Sequence, residues 1–314
     1  MAPHHAQPCI AILLSTFNGA AYLHAQLESL LAQSHTNWLL FWRDDGSTDG
    51  SVDIMRAFAG RLGEGRCLCV AQSGGHMGPT ASFMALLGEA AMRADRLDAV
   101  AFADQDDVWL PEKLARGTAV LLGADPASPA LYCARQVLVD AELRRIGLSG
   151  PPGRQPGFPA SLTQNVATGC TVMLNRAALL LVARSTPSSA SLHDWWCYLL
   201  VTAAGGRFVQ DDEPVVLYRQ HAHNFVGAPP SMLRRAVAAL RRGPGVFMSV
   251  LRQNVAALAA QPELLSEPAR AEVLMIHQAL QRGPLARLAA LRLPGLHRQT
   301  WTETLLFRLW FLVG

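Results

Sequence analysis

Short apolar runs recur along the first part of the chain, and each ends in polar, turn-forming residues. Ile10–Leu14 is the first, and an unbroken apolar run of this length predicts a strand buried on both faces. Asn18-Gly19 follows as a turn signal, after which Tyr22, Leu23, Leu27, Leu30 and Leu31 recur at helical spacing. Trp38–Trp42 predicts a second strand, ended by DDGSTDGS at 44–51. Val52, Met55, Phe58 and Leu62 then trace a helix. Cys67–Ala71 predicts a third strand, followed by the loop SGGHMGPT and a helix through Phe83, Leu86 and Leu87. Val100–Ala103 predicts a fourth strand, with Pro111 as first residue of the helix behind it. Alternating strand and helix imply an α/β fold, a mostly parallel sheet with helices on both faces.

The pattern loosens afterwards. Leu131–Val139, Cys170–Leu174 and Pro214–Tyr218 predict strands, Asp194–Ala203 a helix, and the Pro/Gly-rich 150–160 a loop. From about residue 230 Ala, Leu and Arg dominate, interrupted by Gly-Pro at 243–244 and 283–284. The expected organisation is a catalytic domain over 1–229, with a nucleotide-binding half at about 8–125 and an acceptor half at about 126–229. Residues 230–314 would form a helical appendage. The charge divides at the same place: residues 230–314 carry eleven Arg and four Glu, a net +7, and residues 1–229 a net −4. SMLRRAVAALRR and LARLAALRLPGLHRQ are basic and amphipathic, and TWTETLLFRLWFLVG adds aromatics. Such helices suit peripheral contact with anionic lipid, packing on the catalytic domain, or a dimer interface. A nucleic-acid partner is not expected. The six cysteines show no Cys-x-x-Cys pair and no zinc spacing. With no signal-peptide pattern and no long apolar span, the expected location is cytoplasmic.

The polar residues gather where the strands end. Ser15, Thr16 and Asn18 follow the first run, Asp44 and Asp45 the second, Ser73–Met77 the third, and Asp104, Asp106 and Asp107 the fourth. Open parallel sheets bind ligands beyond the carboxyl ends of their strands, so four such loops on one rim predict a site. Carboxylates as dense as 104–107 repel one another unless a cation neutralises them. Mg²⁺ or Mn²⁺, hard cations that share oxygen ligands with substrate phosphates, would do so at Asp104 and Asp106. The plainer reading is acid enrichment at a helix start, and Asp107 in particular is expected to cap the helix near Pro111. Asp194 likewise reads as an N-cap on residues alone. Neither G-x-G-x-x-G nor G-x-x-x-x-G-K-[ST] occurs, which disfavours dinucleotide-binding and P-loop enzymes.

STFNGAAYLHAQLESLLAQSHTNW, RDDGSTDGS and ADQDDVWLPEKL, in this order within about residues 8–225, resemble family 2 glycosyltransferases of the GT-A fold. LHDWW and YRQHAHNFVG are similar to its bacterial rhamnosyltransferase-like branch, which builds surface polysaccharides. The resemblance implies an inverting transfer of a sugar, rhamnose by branch, from a nucleotide-diphospho-sugar to a glycan or polyprenyl-linked acceptor. It implies that Ser15 and Asp45 contact the base, with Thr16 and Asn18 shaping that loop. Asp104 and Asp106 would form the Asp-x-Asp motif, Asp106 on the cation and Asp104 on the ribose or cation. His221 would contact metal or diphosphate, and Asp194 would be the catalytic base. Trp195 and Trp196 would wall the acceptor or pack in the core. His193 stands where the family usually keeps an acid. The family's Q-x-x-R-W motif is absent, which implies single addition rather than processive synthesis. A sugar-nucleotide pyrophosphorylase and a catalytically silent sugar-binding module are the alternatives. STFNGAAY lacks the cation a pyrophosphorylase needs for a triphosphate.

Overall fold

The computed structural model describes residues 7–70, 75–123, 125–151, 153, 157–221 and 232–314, with backbone alone for 232–243. The apolar run Ile10–Thr16 becomes β1, flanked in parallel by β2 (Trp38–Asp44) and β4 (Ala99–Ala103); β3 (Cys67–Cys69) extends the sheet beyond β2. β5 (Val108–Trp109), β6 (Ala130–Val139), β7 (Arg145–Leu148), β8 (Met173–Asn175) and β9 (Arg207–Arg219) complete it. The sheet order is β3-β2-β1-β4-β8-β6-β9-β5, with β7 paired to β6. The long pairings, β1 with β2, β1 with β4 and β6 with β9, are parallel, and the antiparallel ones are short.

Alternation along β1 builds two core layers, because successive side chains point to opposite faces. Ile10, Ile12 and Leu14 pack with Leu40, Trp42 and Ala101 under three helices, α1 (Ala20–Leu31), α2 (Ser51–Leu62) and α4 (Lys113–Leu122). Ala11 and Leu13 pack with Phe41 and Phe102 under α3 (Pro79–Ala91), α5 (Arg176–Ala183) and α6 (His193–Ala203). The C-terminal helices are α7 (Met232–Ala259), α8 (Glu267–Arg282), α9 (Pro284–Ala290) and α10 (Trp301–Val313). They join this second layer through Leu251, Val255, Ile276, Phe307 and Phe311. Each such side chain contributes about 1.5–3 kcal/mol on burial.

Several boundaries differ from the sequence expectation. The helix after the acid loop starts at Lys113, not Pro111, because Val108–Trp109 first pair with Val216–Leu217 as β5. Strand character at 170–174 is confined to Met173–Asn175, since Gly169–Thr171 form a single 3₁₀ turn. The last strand begins at Arg207, seven residues before Pro214, and pairs with β6 along its length. α7 runs unbroken through Pro244, whereas Gly283 (φ 98°) and Pro284 do separate α8 from α9. The third run is strand only to Cys69, and Ala71, Ser73 and Gly74 lie outside the described residues.

Register positions the site. Leu14 is level with both Trp42 and Ala103, Ser15 with Arg43, and Thr16 with Asp44. Three loops therefore leave the sheet side by side at one rim.

Candidate active site

The first loop is built by backbone strain and side-chain ties. Asn18 is left-handed at φ 48°, a region Asn tolerates better than most residues. Its Oδ1 accepts the Thr48 N–H at 2.8 Å, and its own N–H reaches Ser47 Oγ at 2.9 Å. Thr16 Oγ1 donates to Asp44 Oδ1 at 3.0 Å from a fully buried position. Gln105, between the two acids of the Asp-x-Asp stretch, bonds both the N–H and the carbonyl of Phe17. Its amide rests on Gly19, where a Cβ would lie 2.2 Å from Oε1 and would displace the Gln105 side chain.

Asp45 is buried and committed to protein partners. It pairs with buried Arg43 at 2.7 Å and accepts the N–H groups of Met77 at 3.0 Å and Gly78 at 2.8 Å. Burial pushes its pKa up, but the Arg43 bond and the two N–H groups outweigh that, and the net shift is downward. Arg43 also donates to Ser82 Oγ, which bonds Ser15 Oγ at 2.7 Å. His76 lies against Asp45 at 3.0 Å and under Phe17, ring centroids 4.3 Å apart. A cavity of about 560 Å³ opens beside Asp44, Ser47 and Arg56.

The acid loop splits by direction. Asp104 and Asp106 are partly exposed, whereas Asp107 is fully buried. Asp107 caps no helix: its Oδ1 accepts the Arg219 N–H at 3.0 Å, and Glu112 precedes α4. The expected capping role fails because β5 intervenes. Arg219 also donates to the Asp106 carbonyl at 2.7 Å and lies 4.6 Å over the Tyr22 ring. His221, at the end of the described part of YRQHAHNFVG, brings Nε2 to 2.8 Å from Asp106 Oδ2, and its ring lies tilted against Tyr22 with centroids 4.7 Å apart.

Lys113 lies behind the acids, and sequence reasoning passed it over. It is fully buried, donates to the carbonyls of Phe102 at 3.2 Å and Cys170 at 2.5 Å, and sits 3.1 Å from the Trp109 ring centre. Burial lowers its pKa to about 7, opposed by Cys170, Asp107 and Asp104. Burial raises Asp104 to about 7, helped by the charges of Asp106 and Asp194.

Two sets of groups lie near a possible cation. Asp104, Asp107 and Cys170 bring ligand-type atoms within 4.8 Å of one another. The Cys170 thiol is pushed well up by burial and the two acids, so it stays protonated and offers no thiolate. Lys113 already places a positive group among these three. On the open side, Asp106 Oδ2 and His221 Nε2 lie 2.8 Å apart, but among the described residues only Asp104, Asp107 and Cys170 bring three ligand-type atoms within 4.8 Å of one another. Asp104 and Asp106, both partly exposed, are the carboxylates of the kind a hard cation such as Mg²⁺ or Mn²⁺ would take.

Asp194 sits at the second position of α6, not at its cap, which is Leu192. It is buried; Oδ2 accepts the Gly169 N–H at 3.1 Å, Oδ1 the Trp195 N–H at 2.6 Å, and Asn165 bonds the carboxylate. Burial raises it to about 6 despite these bonds. A Cβ at Gly169 would stand 3.0 Å from His193 Nε2. His193 stacks on Phe83 at 4.0 Å, and burial pushes its pKa to about 3, so it is neutral beside Asp194. Trp196 is core, its Nε1 on Ser185 Oγ at 2.8 Å, and half-buried Trp195 donates to the Ser161 carbonyl at 2.8 Å.

The family model for glycosyl transferase family 2 matches residues 11–179, more than half of the chain. The chain belongs to glycosyl transferase family 2. A dTDP-rhamnosyl transferase, RfbG of Shigella flexneri, is 25% identical over 222 residues, covering 68% of this chain and 74% of that one. The putative teichuronic acid biosynthesis glycosyltransferase TuaG of Bacillus subtilis is 26% identical over 110 residues, 35% of this chain and 40% of TuaG. Among solved structures, S. aureus TarS 1–349 in complex with UDP-GlcNAc superposes with TM-score 0.55 at 16% identity, over 86% of this chain and 71% of that chain. The mannosyltransferase PcManGT of Pyrobaculum calidifontis, in complex with GDP-Man and Mn²⁺, gives 0.51 at 19%, over 98% and 87%. These likenesses establish for this family 2 chain the GT-A fold that the resemblance of its sequence motifs implied. The family match ends at residue 179, before Asp194 and His221.

Proposed function

We propose that this glycosyltransferase moves a sugar, rhamnose by its similarity to RfbG, from a nucleotide-diphospho-sugar to a hydroxyl of a glycan or polyprenyl-linked acceptor in surface polysaccharide synthesis, with inversion. One observation supports this reading. His193, the neighbour of Asp194, packs on Phe102, two residues before Asp104, with ring centroids 4.9 Å apart. The acceptor-side carboxylate thus stands at the same strand end as the Asp-x-Asp acids, and its charge helps raise Asp104.

The rim loops of β1 and β2 border the nucleotide through Ser15 and Asn18, with Asp104 at the ribose, while buried Thr16 and Asp45 hold those loops in place through Asp44 and Arg43. A divalent cation held by Asp104, Asp106 and His221 supplies neutralisation of the leaving diphosphate when bound. Asp194 accepts the proton of the acceptor hydroxyl as its oxygen bonds the anomeric carbon and the bond to the diphosphate breaks. The proton ends on Asp194 and the electron pair on the diphosphate. A base near pKa 6 is charged at neutral pH and still basic enough for this step. The Gly169 and Trp195 N–H groups aim the carboxylate, and the Trp195 ring borders the acceptor. Residues 1–229 are the proposed catalytic unit and 230–314 the unit that brings it to the inner face of the membrane.

NMR of the product formed from a dTDP-sugar and an acceptor glycan tests the reading. It requires inverted anomeric configuration, and loss of transfer with retained donor binding in Asp194→Asn. Retention of configuration, or full activity of that variant, would overturn it.

A further inference from the structure

α10 is apolar on both sides. Its inner face buries Thr304, Phe307 and Phe311 against the core. Its outer face exposes Trp301 (62%), Leu305 (53%), Leu309 (56%) and Val313 (68%), four residues at successive i+4 positions that form one continuous row. The polar side chains exposed with them are Thr302 and Arg308. A helix that is hydrophobic all round belongs in a buried setting, yet no described part of the chain covers this row. α9 adjoins α10, its Arg287 donating to the Leu312 carbonyl, and it exposes Leu285 (87%) and Leu288 (48%).

Charge narrows the choice of occupant. Residues 282–314 contain five Arg and a single Glu. Arg282, Arg292 and Arg308 are exposed. A second copy would bring the same apolar row and the same Arg308, with Glu303 the one acid of α10 to meet it. Anionic headgroups above an apolar interior match both features at once.

Position ties the row to the site. The segment leading into α10 is fastened to 163–164: Thr163 Oγ1 donates to the His297 carbonyl at 2.8 Å, Arg298 to the Thr163 carbonyl at 2.9 Å, and Gln299 N–H to Gln164 Oε1 at 3.1 Å. The next residue, Asn165, bonds Asp194, and Ser161 holds Trp195. We propose that the outer row of α10, with Leu285 and Leu288 of α9, docks on an anionic phospholipid bilayer and so places the acceptor side of the site at the membrane surface. The role in acceptor delivery rests on the lipid-linked acceptor proposed above; the docking does not. Among the described residues no helix is long and apolar enough to cross a membrane, so the contact is along the surface.

The test is co-sedimentation of the full chain with vesicles of phosphatidylglycerol mixed into phosphatidylcholine, and with phosphatidylcholine alone, without donor or acceptor. The wild type is expected to pellet with the anionic vesicles only. The Leu305→Asp/Leu309→Asp double variant should bind about tenfold or more weakly, with unchanged melting temperature and unchanged donor hydrolysis in solution. Arg308→Gln, which leaves the apolar row intact, is expected to weaken binding less. No vesicle binding by the wild type, or equal binding to neutral vesicles, would overturn the proposal. So would a wild-type dimer in analytical ultracentrifugation that the double variant converts to monomer, since the row would then be a self-interface. Because vesicle binding is read without substrates, a failed transfer assay leaves it standing, and a failed vesicle assay leaves the transferase reading standing.

Discussion

Replacing Lys113 by Met removes the positive group buried behind the acid loop while keeping most of its volume. Two carbonyls, of Phe102 and Cys170, lose a charged donor, and Asp104 and Asp107 lose their internal counter-charge. Removing one partner from such a buried arrangement costs about 3–5 kcal/mol. The downward shift of Lys113 to about 7 places the loss toward the lower end near neutral pH, where the amine is only partly charged. For a chain of this size that lowers Tm by roughly 5 °C. Mn²⁺ would supply a partner for Asp104, one of these acids, so it should raise Tm more in Lys113→Met than in the wild type. Thermal melts at pH 7.5 with and without Mn²⁺ measure both quantities. A variant within about 1 kcal/mol of wild type, with an equal Mn²⁺ effect, would refute the counter-charge argument.

Asp194 is raised to about 6, so below that pH it holds a proton and cannot take another. Transfer at saturating donor should therefore climb about tenfold per pH unit below 6 and level off above, read as kcat against pH; a flat profile would remove Asp194 from the role. Arg43→Met should strand the Asp45 carboxylate in the core at a cost of about 3 kcal/mol at pH 7. Because the folded-state pKa of Asp45 is lowered, the Arg43 contribution is fully present above the unfolded carboxylate pKa and fades as pH falls below it, which urea melts at several pH values would show. Gly169→Ala should lower kcat with donor KM unchanged, since the added methyl presses on His193 Nε2 and shifts the loop that aims Asp194.

The sheet and its rim were legible because apolar runs followed by polar turns report buried parallel strands directly, and register then brings Ser15, Asp45 and Asp104 together. What periodicity missed are the charges turned inward. Lys113 follows Pro-Glu and reads as an ordinary solvent-facing helix residue, the usual place for lysine. Arg43 did leave a signal: a cation inside WLLFWRD, a strand buried on both faces, needs an acid, and Asp45 stands two residues on. Asp107 was misread as a cap because nothing local announces β5, whose partner in β9 is more than a hundred residues away. The break expected at Gly243-Pro244 did not form, and α7 carries the lost hydrogen bond within a long helix. Asp194 and His221 could be named only through the family resemblance, since each has an ordinary structural reading on residues alone.

Isothermal titration of a panel of nucleotide-diphospho-sugars, with and without Mn²⁺, into the wild type and Asp106→Ala tests the central claim most directly. The account predicts that at least one donor binds the wild type with Mn²⁺, and that removing the metal or the Asp106 carboxylate weakens that binding about tenfold or more. A donor bound equally well in all four combinations, or none bound in any, would contradict it.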